Sequence, residues 1–184
     1  MEKVEVPAGD VLKIGITGPE SSGKTWMARY LAEQYNDLWL PEYAREYLAE
    51  KGTSYELHDL HRIAREQLKR EEKLLKKAGK ILFCDTDILV LKIWYQYKFN
   101  IIPDFIQERL EANTYDLHLL MRPDIPYEDD PLRENPDRGD FFFGIFRKEL
   151  ESNGLPFEII QGTEQERTKK AGVLISQLLN STPA

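Results

Sequence analysis

The 184-residue sequence has one cysteine, Cys84, which excludes an internal disulfide framework and suits a reducing compartment. No apolar run approaches the roughly 18 residues that a membrane-spanning helix needs. The opening MEKVEVPAGD has no apolar core of the signal-peptide kind, so a cytoplasmic protein without a membrane partner is expected. A basic excess is missing too. Twenty-five Lys and Arg against 32 Asp and Glu leave a formal charge of −7, which argues against a nucleic-acid backbone as the main partner. The densest basic stretch, His61 to Lys80, is interleaved with Glu66, Glu71 and Glu72 and reads as a solvated helix face. His58, His61 and His118 lack metal-ligand spacing, and His118, inside the run DLHLLM, reads as a core residue. There is no internal repeat or low-complexity segment. Oligomeric state, monomer or homo-oligomer, stays open.

What is present is an alternation of short apolar runs and longer helical periods. Val11 to Thr17, Leu38 to Leu40, Lys80 to Cys84, Asp116 to Met121 and Phe157 to Ile160 predict five strands. Helical stretches lie between and after them. One runs from Thr25 to Tyr35; one starts at Pro41 and closes at Gly52; a long one runs to about Ala78, opened by a capping box of Thr53 and Glu56. Others run from Asp87 to about Lys98, from Pro103 to Ala112, and from about Glu164 to Leu179. This order predicts one α/β domain over residues 1–184, with a five-stranded parallel sheet between two helical layers. Ligands of such sheets bind beyond the carboxyl ends of the strands.

The motifs fall at those ends. Gly18 to Thr25, GPESSGKT, fits G-x-x-x-x-G-K-[ST] between a strand and a helix. Gly18 and Gly23 allow close backbone approach, and Glu20, Ser21 and Ser22 complete a loop whose amides face phosphates. Lys24 reaches the outer phosphates of ATP, and the Thr25 hydroxyl is placed for Mg²⁺. In CDTD, Asp85 suits the metal side, while Asp87 contacts substrate or caps the next helix. In PEYAREY, Glu42 has Arg45 one turn on and Tyr43 offering a ring, and either Glu42 or Asp85 would orient or deprotonate an attacking hydroxyl while the other serves the metal. The alternative for Glu42 is a helix-starting acid favoured by the helix dipole.

Arg122 to Asp140 breaks the pattern, with four prolines, seven acids and three arginines and no period, as a lid does. Arg133 and Arg138 would reach over a phosphate chain, and Phe141 to Phe143 would anchor the lid's return to the core. Gly162, after the fifth strand, lies where the adenine passes.

Taken in order, GPESSGKT, PEYAREY, FCDTD and DIPYEDDPLR resemble the ribosylnicotinamide kinase domain of bacterial NadR-type proteins, over about residues 11–180. That family's pattern is GxESSGK[ST], E-Y-x-R-[DE]-Y, [IF]-x-D-T-D and a P-W-x-x-D-G-x-R lid. The resemblance implies a P-loop nucleoside-kinase fold and transfer of the γ-phosphoryl group of ATP, with Mg²⁺, to the 5′-hydroxyl of nicotinamide riboside. On the pattern fall Lys24, Thr25, Glu42, Tyr43, Arg45, Asp85, Asp87, Tyr127, Asp130 and Arg133. Tyr127 replaces the lid Trp and Pro131 the lid Gly. The nucleotidyltransferase and DNA-binding parts of those proteins are not matched, so only the kinase step is implied. The alternatives are a kinase for another nucleoside or nucleotide, and a regulatory or mechanical P-loop ATPase. A third, a nucleotide-binding module without catalysis, conflicts with the presence of both Lys24 and Asp85.

Overall fold

A computed structural model of the chain describes residues 11–126 and 137–181. Five strands, β1 (Leu12–Thr17), β2 (Leu38–Leu40), β3 (Ile81–Asp85), β4 (Leu117–Met121) and β5 (Phe157–Ile160), form one sheet in the order β2-β3-β1-β4-β5. Every pairing is parallel. The helices are α1 (Lys24–Tyr35), α2 (Tyr43–Lys51), α3 (Leu57–Leu75), α4 (Ile88–Phe99), α5 (Asp104–Glu111), α6 (Gly139–Ser152) and α7 (Glu164–Ser181). The expected five-stranded, three-layer arrangement is the one observed.

Because side chains alternate across a strand, each strand feeds both layers. Leu12, Ile14 and Ile16 of β1 and Ile81 and Phe83 of β3 pack with Met27, Leu31 and Ile175 of α1 and α7. Leu82 and Cys84 point the other way, into a larger core with Leu60, Leu89, Ile106 and Leu150 of α3 to α6. Cys84 is fully buried, and that burial pushes its thiol well above the ordinary range, so it is a core residue.

On the α3–α6 face, β1 presents Lys13, Gly15 and Thr17 instead of apolar side chains. Lys13 Nζ donates to Glu71 Oε1 at 2.7 Å and sits 4.0 Å over the Tyr115 ring. A buried cation is tolerable there because its donors find a carboxylate and a π-face. Farther along, the His118 ring nitrogen Nδ1 lies 2.7 Å from Asp87 Oδ2, and both side chains are fully buried. Gly15 makes the room: a Cβ on it would fall 2.8 Å from both Asp87 Oδ2 and His118 Nδ1. Gly15→Ala is therefore expected to destabilise the fold by about 1–3 kcal/mol, read by chemical denaturation, through overpacking of that pair.

Three local expectations are corrected. α3 begins at Leu57, and its capping box is Glu56 with Asp59, not Thr53 with Glu56. Asp59, almost fully buried, also accepts from Tyr47 and Lys51, which hold it at the helix start. The chain after the proline-rich segment forms a full helix, α6, where no helix was expected. Of Phe141 to Phe143 only Phe143 is buried in the core, together with Phe146 farther along the helix; Phe141 is 49% exposed. As expected, α3 has a solvated face, where Arg70 bridges Glu46 and Glu66. Among the described residues no helix is long and apolar enough to cross a membrane.

Candidate active site

The carboxyl ends of the strands open into a cavity of about 1440 Å³, wide enough for a nucleotide and a second small molecule. Its floor is the Gly18–Thr25 loop; α2, α4 and α6 supply one wall and the start of α7 another. Gly18 has φ +133°, and a Cβ on it would strike the Met121 carbonyl oxygen at 2.6 Å. The loop can leave β1 that close to β4 only with glycine there.

Lys24 Nζ donates to the carbonyls of Gly18 (2.9 Å) and Pro19 (2.7 Å), and Ser22 Oγ donates to Pro19 at 2.8 Å. Burial lowers the affinity of the Lys24 amine for its proton, against the pull of Glu42, Asp85, Glu20 and Asp87. Thr25 Oγ1 donates to Asp85 Oδ2 at 2.6 Å. Asp85 is 1% exposed, lying just below the floor, and among the described residues its Oδ1 has no hydrogen-bond partner. Burial raises its pKa, with the Thr25 hydrogen bond, Lys24 and Arg45 opposing. Glu42, at the α2 N-terminus, lines the cavity and caps nothing with its side chain. Burial and then the neighbouring Asp85 charge raise its pKa, while Lys24 and Arg45 pull it down. Lys24, Thr25, Glu42 and Asp85 thus share one field.

The β3–α4 junction explains how two aspartates so close in sequence diverge. Thr86 between them has φ +74°, a strained value for a β-branched residue. Gln67, 2% exposed on α3, holds the turn by donating to the Asp85 (3.4 Å) and Thr86 (3.3 Å) carbonyls. Its Oε1 accepts from the Tyr43 amide at 2.8 Å, which ties the turn to the residue after Glu42.

Asp85 therefore faces Thr25, whereas Asp87 turns inward. It caps α4 by accepting from the Leu89 and Val90 amides, and it bonds Thr17 and His118. Asp87 does not line the cavity, and its side chain serves as the cap of α4. Tyr43 also stays outside the cavity, its ring 4.2 Å beneath the Arg70 guanidinium. Gly162 is not on the lining either; its amide donates to Asp124 Oδ2 at 2.7 Å. Arg45, Glu20, Ser21 and Ser22 do line it. Arg138, at the rim, donates to Tyr97 Oη at 2.9 Å and lies 4.4 Å over the Phe141 ring. Tyr127, Asp130 and Arg133 fall outside the described residues.

Two lining features carried no sequence motif. Trp26 and Tyr30 stack at 5.6 Å on α1, and Arg167 comes from α7. Single arginines within helices are common, so nothing in the sequence marked Arg167.

Comparison with known proteins gives three kinds of likeness. The family model described as "AAA domain" matches residues 13–167. The trifunctional NAD biosynthesis/regulator protein NadR of Escherichia coli (strain K12) is 28% identical over 160 residues, 83% of this chain and 39% of its own length. The protein of the same name from Salmonella typhimurium is 26% identical over 159 residues. The chain spans about two-fifths of the length of these curated relatives. A crystal structure of a NadR protein in complex with NR superposes with a TM-score of 0.77 at 23% identity, covering 96% of this chain and 54% of that one. A deoxyadenosine kinase from M. mycoides, covered over its whole length, superposes over 93% of this chain with a TM-score of 0.57 at 16% identity.

Proposed function

Because the chain belongs to the AAA domain family, we propose that its phosphate loop binds ATP and that the domain is a kinase phosphorylating the 5′-hydroxyl of nicotinamide riboside. The observation that carries this reading is the meeting of Lys24, the Thr25–Asp85 pair and Glu42 at one cavity large enough for donor and acceptor together. The relatives named NadR support the acceptor, since a neighbouring NadR structure holds NR. Nicotinamide riboside carries a pyridinium cation, which carboxylates such as Glu20 and Glu42 on the lining favour by charge. The single cysteine is buried and leaves no internal disulfide to form, which fits a cytoplasmic setting.

Phosphoryl transfer asks little covalent chemistry of a protein and much positioning. The loop amides and Lys24 hold the phosphate chain, and Lys24 offsets charge on the transferring group. Glu42 orients the 5′-hydroxyl and accepts its proton, a role its raised proton affinity suits. Arg138 sits at the rim, within reach of a long side chain. A hard divalent cation fits the Thr25 hydroxyl and Asp85, whose buried Oδ1 has no partner among the described residues. Among those residues no group of three or more His, Cys, Asp or Glu could hold a metal alone, so phosphate and water oxygens would complete the shell. Mg²⁺ bound there would neutralise charge on the phosphates.

The test is a screen of ATP consumption over nicotinamide riboside, the common nucleosides and their monophosphates. ADP release should depend on the acceptor and be fastest with nicotinamide riboside. A neutral nucleoside preferred over it would remove the acceptor and keep the kinase. ADP release that no acceptor stimulates would sink the kinase reading and favour an ATPase.

A further inference from the structure

Arg167 is 2% exposed, and its guanidinium reaches three separate loops at the ligand-facing edge of the sheet. Nη1 donates to the Ser22 carbonyl in the phosphate loop at 2.9 Å. Nη2 donates to the Arg122 carbonyl just after β4 at 2.8 Å and to Asp124 Oδ1. Nε donates to the Gly162 carbonyl after β5 at 2.9 Å. Asp124 closes the ring, since its Oδ2 accepts from the Gly162 amide at 2.7 Å.

A buried guanidinium is costly unless its fork of donors is matched, and here the acceptors come from the loops around the cavity and not from the core. The bond to Ser22 has a directional consequence. In a planar trans peptide the carbonyl and the following N–H point opposite ways, so fixing the Ser22 carbonyl on Arg167 turns the Gly23 amide away from the buried guanidinium. Gly23 has φ +86° and lies beside the guanidinium, a Cβ on it falling in ordinary contact 3.4 Å from Ile125 Cδ1 and 3.7 Å from Arg167 Nη1.

We propose that Arg167 and Asp124 are positioning residues that lock the phosphate loop to the β4 exit and the β5–α7 turn and so set the affinity for the triphosphate of ATP. The proposal rests on the reading of Gly18–Thr25 as a phosphate loop. A residue that only stabilised the fold would weaken donor and acceptor binding together. One that aims the loop weakens the donor alone.

The experiment is calorimetric titration of the folded full chain with the non-hydrolysable analogue AMP-PNP, paired with steady-state KM values for ATP and acceptor. The wild type should bind; if it does not, the phosphate-loop reading fails and the proposal with it. Arg167→Met should weaken AMP-PNP binding about tenfold or more, the scale of a lost charged hydrogen bond, with the acceptor KM nearly unchanged. Arg167→Lys keeps the charge, loses the fork, and should stay weak. Asp124→Asn removes one charge from a side chain 31% exposed, so it should fold and shift the same constant in the same direction. It decides the matter if Arg167→Met does not fold. Wild-type AMP-PNP affinity in a folded Arg167→Met or Asp124→Asn variant would overturn the proposal. So would full recovery by lysine, or an acceptor KM that rises as much as the ATP KM.

Discussion

Lys24→Ala is expected to lower kcat by about a thousandfold or more while leaving the circular-dichroism spectrum of the folded protein in place. The magnitude follows from its role as a fixed cation aimed where charge develops during transfer, since groups of that kind supply roughly 10²–10⁵ in rate. The ammonium now donates to the Gly18 and Pro19 carbonyls, groups that a phosphate chain can replace as its partners. Retention of the fold has its own reason. Lys24 lies partly buried and burial depresses its pKa, so its contribution to stability is complete only above the ordinary amine value of 10.5 and is lost as pH falls. Near neutrality the charged amine costs some stability, and alanine removes that cost. The opposing effect is that Glu42 and Asp85 lose a counter-charge, which raises both carboxyls further. ADP release above about a tenth of the wild-type rate would mean that the loop holds something other than the transferring phosphate, because alanine cannot replace a charge at that position.

The features legible in the sequence are those set by local rules. Buried parallel strands read as apolar runs, so β1, β3 and β4 were visible. Gly18, Gly23 and Lys24 announce a phosphate loop because the backbone there admits few other residues. Asp85 and Glu42 were placed by a simple rule, that carboxylates at strand ends converge. Pairing at a distance was not legible. Nothing in CDTD shows that Thr86 adopts φ +74° and sends Asp87 to His118, since that turn is held by Gln67 from another helix. Tyr43 follows Glu42 in sequence, yet the helix turns its ring to Arg70. α6 is hidden by its neighbours: the spacing of Phe143, Phe146 and Leu150 is helical, but it follows directly on an acidic, proline-rich stretch that has no period. Arg167 illustrates the same limit. Its meaning lies in the carbonyls of Ser22, Arg122 and Gly162, which come together only in the folded chain.

Glu42→Gln should move activity and stability in opposite directions. Loss of the carboxylate that accepts the hydroxyl proton is expected to cut kcat by about 10²–10⁴-fold. Stability at pH 7 should rise, because burial and the Asp85 charge hold the Glu42 pKa above its ordinary 4.5. The sign follows from linkage. A raised carboxyl contributes stability that is complete below pH 4.5 and is lost as pH rises through the folded pKa, so at neutrality the ionised group is a cost that glutamine lacks. Melting curves of wild type and variant should converge as pH falls toward 4.5 and separate above the folded pKa. No cap is lost, since the Glu42 side chain bonds no helical amide. The same raised pKa predicts an acid limb in wild-type kcat/KM that lies above the usual carboxylate range. A variant with a lower melting temperature and an unchanged kcat would make Glu42 a helix-starting acid and nothing more. If the variant is slow and what activity remains keeps the acid limb, the titrating group is Asp85, whose carboxyl burial also raises, and Glu42 orients the hydroxyl without taking its proton.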